Sequence, residues 1–279
     1  MAGELDPRSE LRLLTEALRA HAEWQQACGA GALPAASVAA ATAPVPSPEP
    51  PPEPAQPRAR PAPAAAAPAP RGPAAPAAVA AAPGLSPDER RTRLTLLADT
   101  VKACTRCALH EARTQTVFAR GNGSSGLCFV GEGPGADEDA QGFPFVGAAG
   151  QLLDKMIAAM GIERDDVYVC NVVKCRPPNN RTPEPEEMST CLPYLDQQLA
   201  LVEPRVIVAL GKTAVQGLFG SAESITRIRG RWRLYQGRIA VMPTFHPAYL
   251  LRTPAAKREV WSDLQAVLKQ MGRSVPGKD

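Results

Sequence analysis

Val167–Cys191 reads VYVCNVVKCRPPNNRTPEPEEMSTC. Val167 to Val173 is apolar and largely β-branched, the composition of a buried strand. The proline- and asparagine-rich run that follows cannot continue a strand, so Asn171 to Arg181 is expected to form a loop at its end. Pro185 to Leu201 then reads as a helix carrying Cys191. The same alternation extends outward. Leu127 to Val130, Val206 to Leu210 and Ile239 to Pro243 are short apolar runs, and each is followed by a helical pattern. In GAAGQLLDKMIAAMG, Leu152, Leu153, Met156, Ile157 and Met160 recur on one helical face. Ser86-Pro87-Asp88-Glu89 is a helix start, with Ser86 as N-cap and Pro87 at the first helical position. A short helix over Gly211 to Phe219 and a last helix from about Pro254 to Met271 complete the pattern. Buried strands alternating with helices predict an α/β fold: a central four-stranded, mainly parallel sheet with helices on both faces. Ligands of such sheets bind beyond the carboxyl ends of the strands. Three loops follow strands directly: Gly131 to Gly147, Asn171 to Arg181 and Thr244 to Arg252. The fold is expected to bring them together.

Composition sets the domain boundaries. More than half of the 30 prolines fall between Pro34 and Pro83, in a segment of almost pure alanine and proline. It lacks the aromatic and large aliphatic residues of a core, so residues 31–84 read as a disordered tether. Residues 1–30 carry a short helix, with Leu11, Leu14 and Leu18 at helical spacing over Ser9 to Cys28. It either docks on its own domain or binds a protein partner. Residues 85–279 form the folded body. The acidic start MAGELDPRSE lacks the apolar core of a signal peptide. The tether is too proline-broken to span a membrane, so no membrane association is expected. Seven cysteines in such a chain point to a reducing, cytoplasmic compartment and to metal or redox chemistry rather than disulfides. The net charge of +3 permits a nucleic-acid partner without requiring one.

Chemistry-bearing residues gather in the same segments. Cys104 and Cys107 form a CxxC pair, and Cys175 and Cys191 are candidates for the other two ligands of one metal centre. Zinc and iron–sulfur clusters both accept four thiolates; the wide second spacing suits a cluster wedged between elements. Cys128 and Cys170 lie inside strands and read as small core residues. Gly211-Lys212-Thr213 is not a phosphate-binding P-loop, because Val206 occupies the position of its first glycine. After the acidic loop GEGPGADED come Phe143 and Phe145. Either ring is a candidate stacking platform for a base, and Phe143 is the better candidate for the core. His246 stands in a strand-terminal TFHP loop, as a structural residue or a catalyst. Leu250, Leu251 and Arg252 follow it, apolar side chains beside a cation, as a wedge for a base stack. Arg227, Arg229, Arg231 and Arg233 alternate around Trp232 and read as a phosphate grip or a solvated edge.

GEGPGADEDAQGFPFVGAAGQLLD, NVVKCRPPNNRTPEPEE and HPAYLLR together resemble the family 4 uracil-DNA glycosylases, the iron–sulfur class. The resemblance runs from about Leu85 to Gln270 and leaves out the N-terminal helix and tether. It implies a [4Fe-4S] cluster on Cys104, Cys107, Cys175 and Cys191. It implies excision of uracil from DNA in a repair reaction, with the base flipped out of the helix; the chain is expected to act as a monomer on single- or double-stranded DNA. By motif position, Glu132, Gly133 and Glu138 line the uracil pocket, Phe145 stacks on the base, Asn171 reads its polar edge and His246 contacts O2. Asn offers donor and acceptor together and so matches uracil O4 and N3–H. Gly133 stands where the best-known uracil glycosylases carry a water-positioning Asp, which leaves Glu132, Glu138 or no residue as general base. Leu250, Leu251, Arg252 and Arg231 are the candidate DNA contacts. The tether and N-terminal helix also suit a different class of protein, a non-catalytic iron–sulfur DNA-binding or damage-sensing factor.

Overall fold

The computed structural model describes residues 84–221 and 223–277. The expected N-terminal helix and nearly all of the tether lie outside the described residues. The described residues contain six strands: β1 (Ala119–Arg120), β2 (Leu127–Gly131), β3 (Tyr168–Asn171), β4 (Val206–Leu210), β5 (Arg233–Tyr235) and β6 (Ile239–Thr244). Their order across the sheet is β1-β3-β2-β4-β6-β5. The central four are the expected ones, and they are parallel. The expectation of a four-stranded sheet needs correction at both edges, where β1 and β5 pair antiparallel with β3 and β6. Both edge strands are too short for any hydrophobic period to show. The β5–β6 connection turns through Gln236 and Gly237 with φ of 49° and 70°, the left-handed pair of a tight hairpin.

Nine helices accompany the sheet among the described residues: α1 (Pro87–Lys102), α2 (Leu109–Ala112), α3 (Ala136–Gln141), α4 (Ala148–Ala159), α5 (Pro185–Val202), α6 (Gly211–Phe219), α7 (Ile225–Ile228), α8 (Pro247–Arg252) and α9 (Lys257–Gln270). The period of two in the strands separates two cores. Leu127, Phe129, Val206, Val208 and Met242 pack with Leu153 and Ile157 of α4 and Val260, Leu264 and Leu268 of α9. Cys128, Val130, Ile207, Ala209 and Val241 pack on the other face, with Val101 of α1, Leu195 and Leu199 of α5 and Val215 of α6. Every residue of β2, β3 and β4 is buried, as a parallel strand covered on both faces must be. Cys128 and Cys170 are fully buried thiols of this core, as expected. Ser86 caps α1 in a capping box with Glu89, and Pro87 takes its first turn. No helix of the described residues is long and apolar enough to cross a membrane.

The arginine run is not a strand with four arginines on one face. It begins in α7, crosses a bend at Gly230 and reaches β5 only at Arg233. Arg233 pairs with Glu223 at 2.7 Å. Arg229 turns inward and meets buried Asp263 of α9 at 2.7 Å through Nη2. Asp263 also accepts the Thr244 hydroxyl at 2.6 Å, at the end of β6. The Arg229 guanidinium lies over the Phe245 ring, 5.5 Å from its centroid. One carboxylate therefore ties α9 and the α7–β5 bend to the strand end that carries the TFHP loop.

Removing that carboxylate leaves the arginine and the hydroxyl without their shared acceptor. Arg229 keeps its other carboxylate partner, Glu259, at 3.0 Å, so Asp263→Ala is expected to lower the unfolding free energy by about 2 kcal/mol, the cost of unpairing buried hydrogen-bonding groups. Urea denaturation measures it; a loss under about 1 kcal/mol contradicts the account.

Candidate functional site

The candidate residues converge beyond the carboxyl ends of the parallel strands. Gly131 ends β2 and stands opposite Asn171, which ends β3. The pairing runs on past the strand ends, with Val172 and Val173 donating to the carbonyls of Gly131 and Glu132 at 3.0 and 3.1 Å. Gly131 is required there by space: a Cβ would stand 2.4 Å from Asn171 Oδ1 and 2.6 Å from Phe145 Cζ. The absence of that one carbon lets the amide and the ring share a pocket floor. Asn171 is 2% exposed, and its Oδ1 is buried without a hydrogen-bond partner. A buried, unpaired acceptor is costly unless a ligand satisfies it.

Phe145 is held in an unusual backbone state, φ 57°, a strain that persists only where surroundings impose it. Gly150 of α4 makes it possible, since a Cβ there would fall 1.9 Å from the Phe145 carbonyl oxygen. The Phe145 ring is buried and its centroid lies 5.5 Å from that of His246. The expected ranking of the two aromatics is reversed: Phe143 is 58% exposed and Phe145 only 5%. Sequence does not show that Phe145 turns back under the strand end, because the turn depends on Gly150.

His246 caps α8, with Nδ1 accepting the Ala248 backbone N–H at 3.1 Å. An accepting Nδ1 places the proton of the neutral ring on Nε2. Burial, seconded by the Arg252 cation, pulls the His246 pKa down from 6.5 to about 4. The ring is thus a neutral donor at neutral pH. Glu132 and His246 line one cavity, together with Thr182, Gly211 and Thr213. Glu132 Oε2 accepts the Thr213 hydroxyl in a short hydrogen bond. Nothing in the sequence around Thr213 announces this, because β4 alone brings α6 to Glu132. Gly133 packs against Val173, where a Cβ would lie 2.6 Å from its Cγ2. Glu138 is already committed: it accepts from the backbone of Gly135, Val146 and Gly147 at 3.1, 3.0 and 2.9 Å. It braces the loop that carries Phe145.

The wedge residues separate. Leu250 is 1% exposed and belongs to the core beneath α8, so it is not a surface contact; Leu251 is 47% exposed and Arg252 lies beside it at the surface. Neighbouring residues of a helix point about 100° apart, so one of two adjacent leucines can face the core while the other faces solvent. Arg231 is exposed.

Cys104, Cys107, Cys175 and Cys191 all line one cavity between α1, α5 and the segment after β3. All four are free thiols. Among the described residues, no group of three or more His, Cys, Asp or Glu is drawn together tightly enough to hold a single metal ion. Three cationic side chains, Arg106, Arg113 and Lys174, share the lining. Arg106 Nη1 is buried without a partner, and Arg113 Nη1 donates to Cys175 Sγ at 3.1 Å. Burial pushes the Cys107 and Cys175 thiols upward and that of Cys191 to about 12. Between the two cysteines of the second pair, Arg181 grips Glu187 of α5 through both guanidinium nitrogens, at 2.8 and 2.6 Å. The loop of residues 171–181 is thereby fastened at both ends.

A sequence model described as the Uracil DNA glycosylase superfamily matches residues 118–265, a span that contains every element of the pocket. The chain belongs to the uracil-DNA glycosylase superfamily. Its relatives narrow the type. It is 48% identical over 179 residues to a type-4 uracil-DNA glycosylase of Thermotoga maritima, covering 63% of this chain and 93% of that one. The type-4 enzyme of Pyrobaculum aerophilum is 46% identical over 180 residues, or 61% of this chain and 91% of that one. That of Archaeoglobus fulgidus is 42% identical over 186 residues, covering 63% and 92%.

Two outcomes follow from the geometry. Gly131→Ala is expected to place its methyl group against Asn171 and Phe145 and to abolish detectable inhibition by free uracil, while circular dichroism stays unchanged; inhibition as in the wild type contradicts the pocket. His246 binds a proton more weakly folded than unfolded. Its contribution to stability is therefore fully present above about pH 6.5 and is lost as pH falls towards 4. An NMR titration of the ring in the folded protein is expected to give a midpoint near 4; a midpoint at or above 6.5 contradicts it.

Proposed function

We propose that the pocket between Gly131, Phe145, Asn171 and His246 receives a uracil flipped out of DNA and supports hydrolysis of its N-glycosidic bond. The observation that carries this reading is the buried, unpartnered Oδ1 of Asn171 beside the Phe145 ring. Uracil supplies N3–H to that acceptor and O4 to the amide N–H. Cytosine presents an acceptor at N3 and a donor at C4, so both contacts fail. Leaving the Asn171 acceptor unpaired penalises the wrong base by about 1–3 kcal/mol. The activity itself follows from the family. A uracil-DNA glycosylase hydrolyses the bond between uracil N1 and the sugar, releasing free uracil and leaving an abasic site in a DNA-repair reaction.

In this reading the bond electrons leave with the uracil, and negative charge develops on the ring. His246 Nε2–H donates to O2 as that charge appears, a preorganised contact that costs no reorganisation. The neutral tautomer suits this role, since the ring stabilises the anion without delivering a formal proton. Water adds to C1′, and its proton leaves for solvent or the departing base. Glu132, oriented by Thr213, is the group placed to orient that water. Glu138 acts at a distance, by bracing the Phe145 loop. Leu251, Arg252 and Arg231 are the exposed candidates for DNA contact, Leu251 as the wedge.

The cysteine cavity suits a [4Fe-4S] cluster. Four thiols and a fringe of cations fit an anionic group larger than one ion, and the unpartnered Arg106 Nη1 is a donor for it. When bound, the group supplies a cross-link that holds the segment after β3 to α1 and α5. In this reading the chain acts as a monomer in a reducing cytoplasm.

A uracil-containing oligonucleotide tests the activity. Free uracil and an alkali-labile abasic site are expected from single- or double-stranded substrate; binding without release supports a non-catalytic DNA-binding factor instead. His246→Ala and Asn171→Ala are each expected to slow single-turnover release about 100-fold. Unchanged rates in both overturn the site. Iron, sulfide and a visible iron–sulfur absorption are expected in the purified protein, and a colourless protein with one zinc overturns the cluster.

A further inference from the structure

Lys174 is one of the largest fully buried side chains of the folded body, at 1% exposure. Burying an ammonium costs several kcal/mol unless it is paired. Its Nζ donates to the backbone carbonyl of Asn171 at 2.5 Å. A carbonyl offers a dipole and no countercharge. Among the described residues, no ion pair with a carboxylate includes it. What surrounds it instead is sulfur. It lines the cavity of the four cysteines, and its charge acts on the thiols of Cys128, Cys170 and Cys191. Its own carbonyl accepts Val117 N–H at 2.8 Å, so its backbone is fixed as well. The side chain folds back over the bend that ends β3 and reaches the residue that carries the base-reading amide.

We propose that Lys174 is a positioning residue that couples the cysteine cavity to uracil recognition: its ammonium is the buried countercharge of the thiolate-held group and the clamp on the Asn171 carbonyl. The inference rests on reading that cavity as an iron–sulfur site. The lysine needs an anion to remain buried, and four thiolates around a cluster carry net negative charge. Asn171 needs a fixed backbone, because its amide serves as a template only while it points at one place. One cation meets both needs, and it does so within the segment that contains a ligand of the cavity, Cys175.

The test uses the full-length, cluster-loaded protein and two variants. Lys174→Met removes charge and donor at nearly constant volume; Lys174→Gln removes the charge and keeps a donor. Both are expected to shift the cluster's midpoint potential to more negative values and to lose iron to a chelator faster than the wild type. Lys174→Met is also expected to weaken inhibition by free uracil by about tenfold, the value of one charge-assisted hydrogen bond, with affinity for undamaged DNA unchanged. Lys174→Gln is expected to recover part of that inhibition. Wild-type potential and iron retention in Lys174→Gln overturn the countercharge, and this variant decides alone if Lys174→Met does not fold. Wild-type inhibition by uracil in Lys174→Met, or equal loss of inhibition and of DNA affinity, overturns the clamp. A wild-type protein without iron and sulfide fails the cluster reading itself, before any variant is compared.

Discussion

The parallel register that sets Gly131 against Asn171 is the constraint on which the pocket depends. Parallel strands end on the same side of a sheet, so whatever follows β2, β3, β4 and β6 is delivered to one edge. Here that edge receives Glu132, Asn171, Gly211 and His246, from four separate stretches of chain. A slip of one residue between β2 and β3 would point Asn171 to the opposite face. The missing Cβ of Gly131 then leaves room for the Asn171 amide and the Phe145 ring at one strand end. Buried strands and small residues thus produce an unsatisfied amide beside an aromatic ring, held in a dry wall.

The supports of this recess lie outside it and are mostly electrostatic. Glu138 collects three backbone N–H groups and fixes the loop of Phe145. Asp263 collects Thr244 and Arg229 under the loop of His246. Arg181 joins the loop after β3 to α5. Each of these carboxylates has its donors already in place, which leaves the Asn171 amide, the His246 Nε2–H and the Glu132 carboxylate as the polar groups for the proposed chemistry.

The four parallel strands and their helices were legible because burial on both faces leaves unbroken apolar runs such as Val206–Leu210. The edge strands were not, since Ala119–Arg120 and Arg233–Tyr235 are too short for the alternation of a strand to repeat. Motif position singled out Asn171, Phe145 and His246, which lie together beyond the strand ends. It could not assign burial: Phe143 and Phe145 exchanged places because of a contact with Gly150, and Leu250 and Leu251 parted because helix α8 turns one of them into the core. Arg229 read as a surface charge in an arginine run and proved to be a half-buried brace, since its buried partner Asp263 lies a whole helix further on. Lys174, between a strand and a cysteine, gave no sign in one dimension of being enclosed.

Asn171, Lys174 and Cys175 occupy one short segment, so the proposed base-reading amide and the cysteine cavity share a backbone. The most direct test of that linkage is uracil excision followed while iron is withdrawn gradually by a chelator, with folding monitored in parallel. Excision is expected to fall in step with the visible iron–sulfur absorption, before the helical signal is lost. Folded, iron-free protein that excises uracil at the full rate would contradict the account.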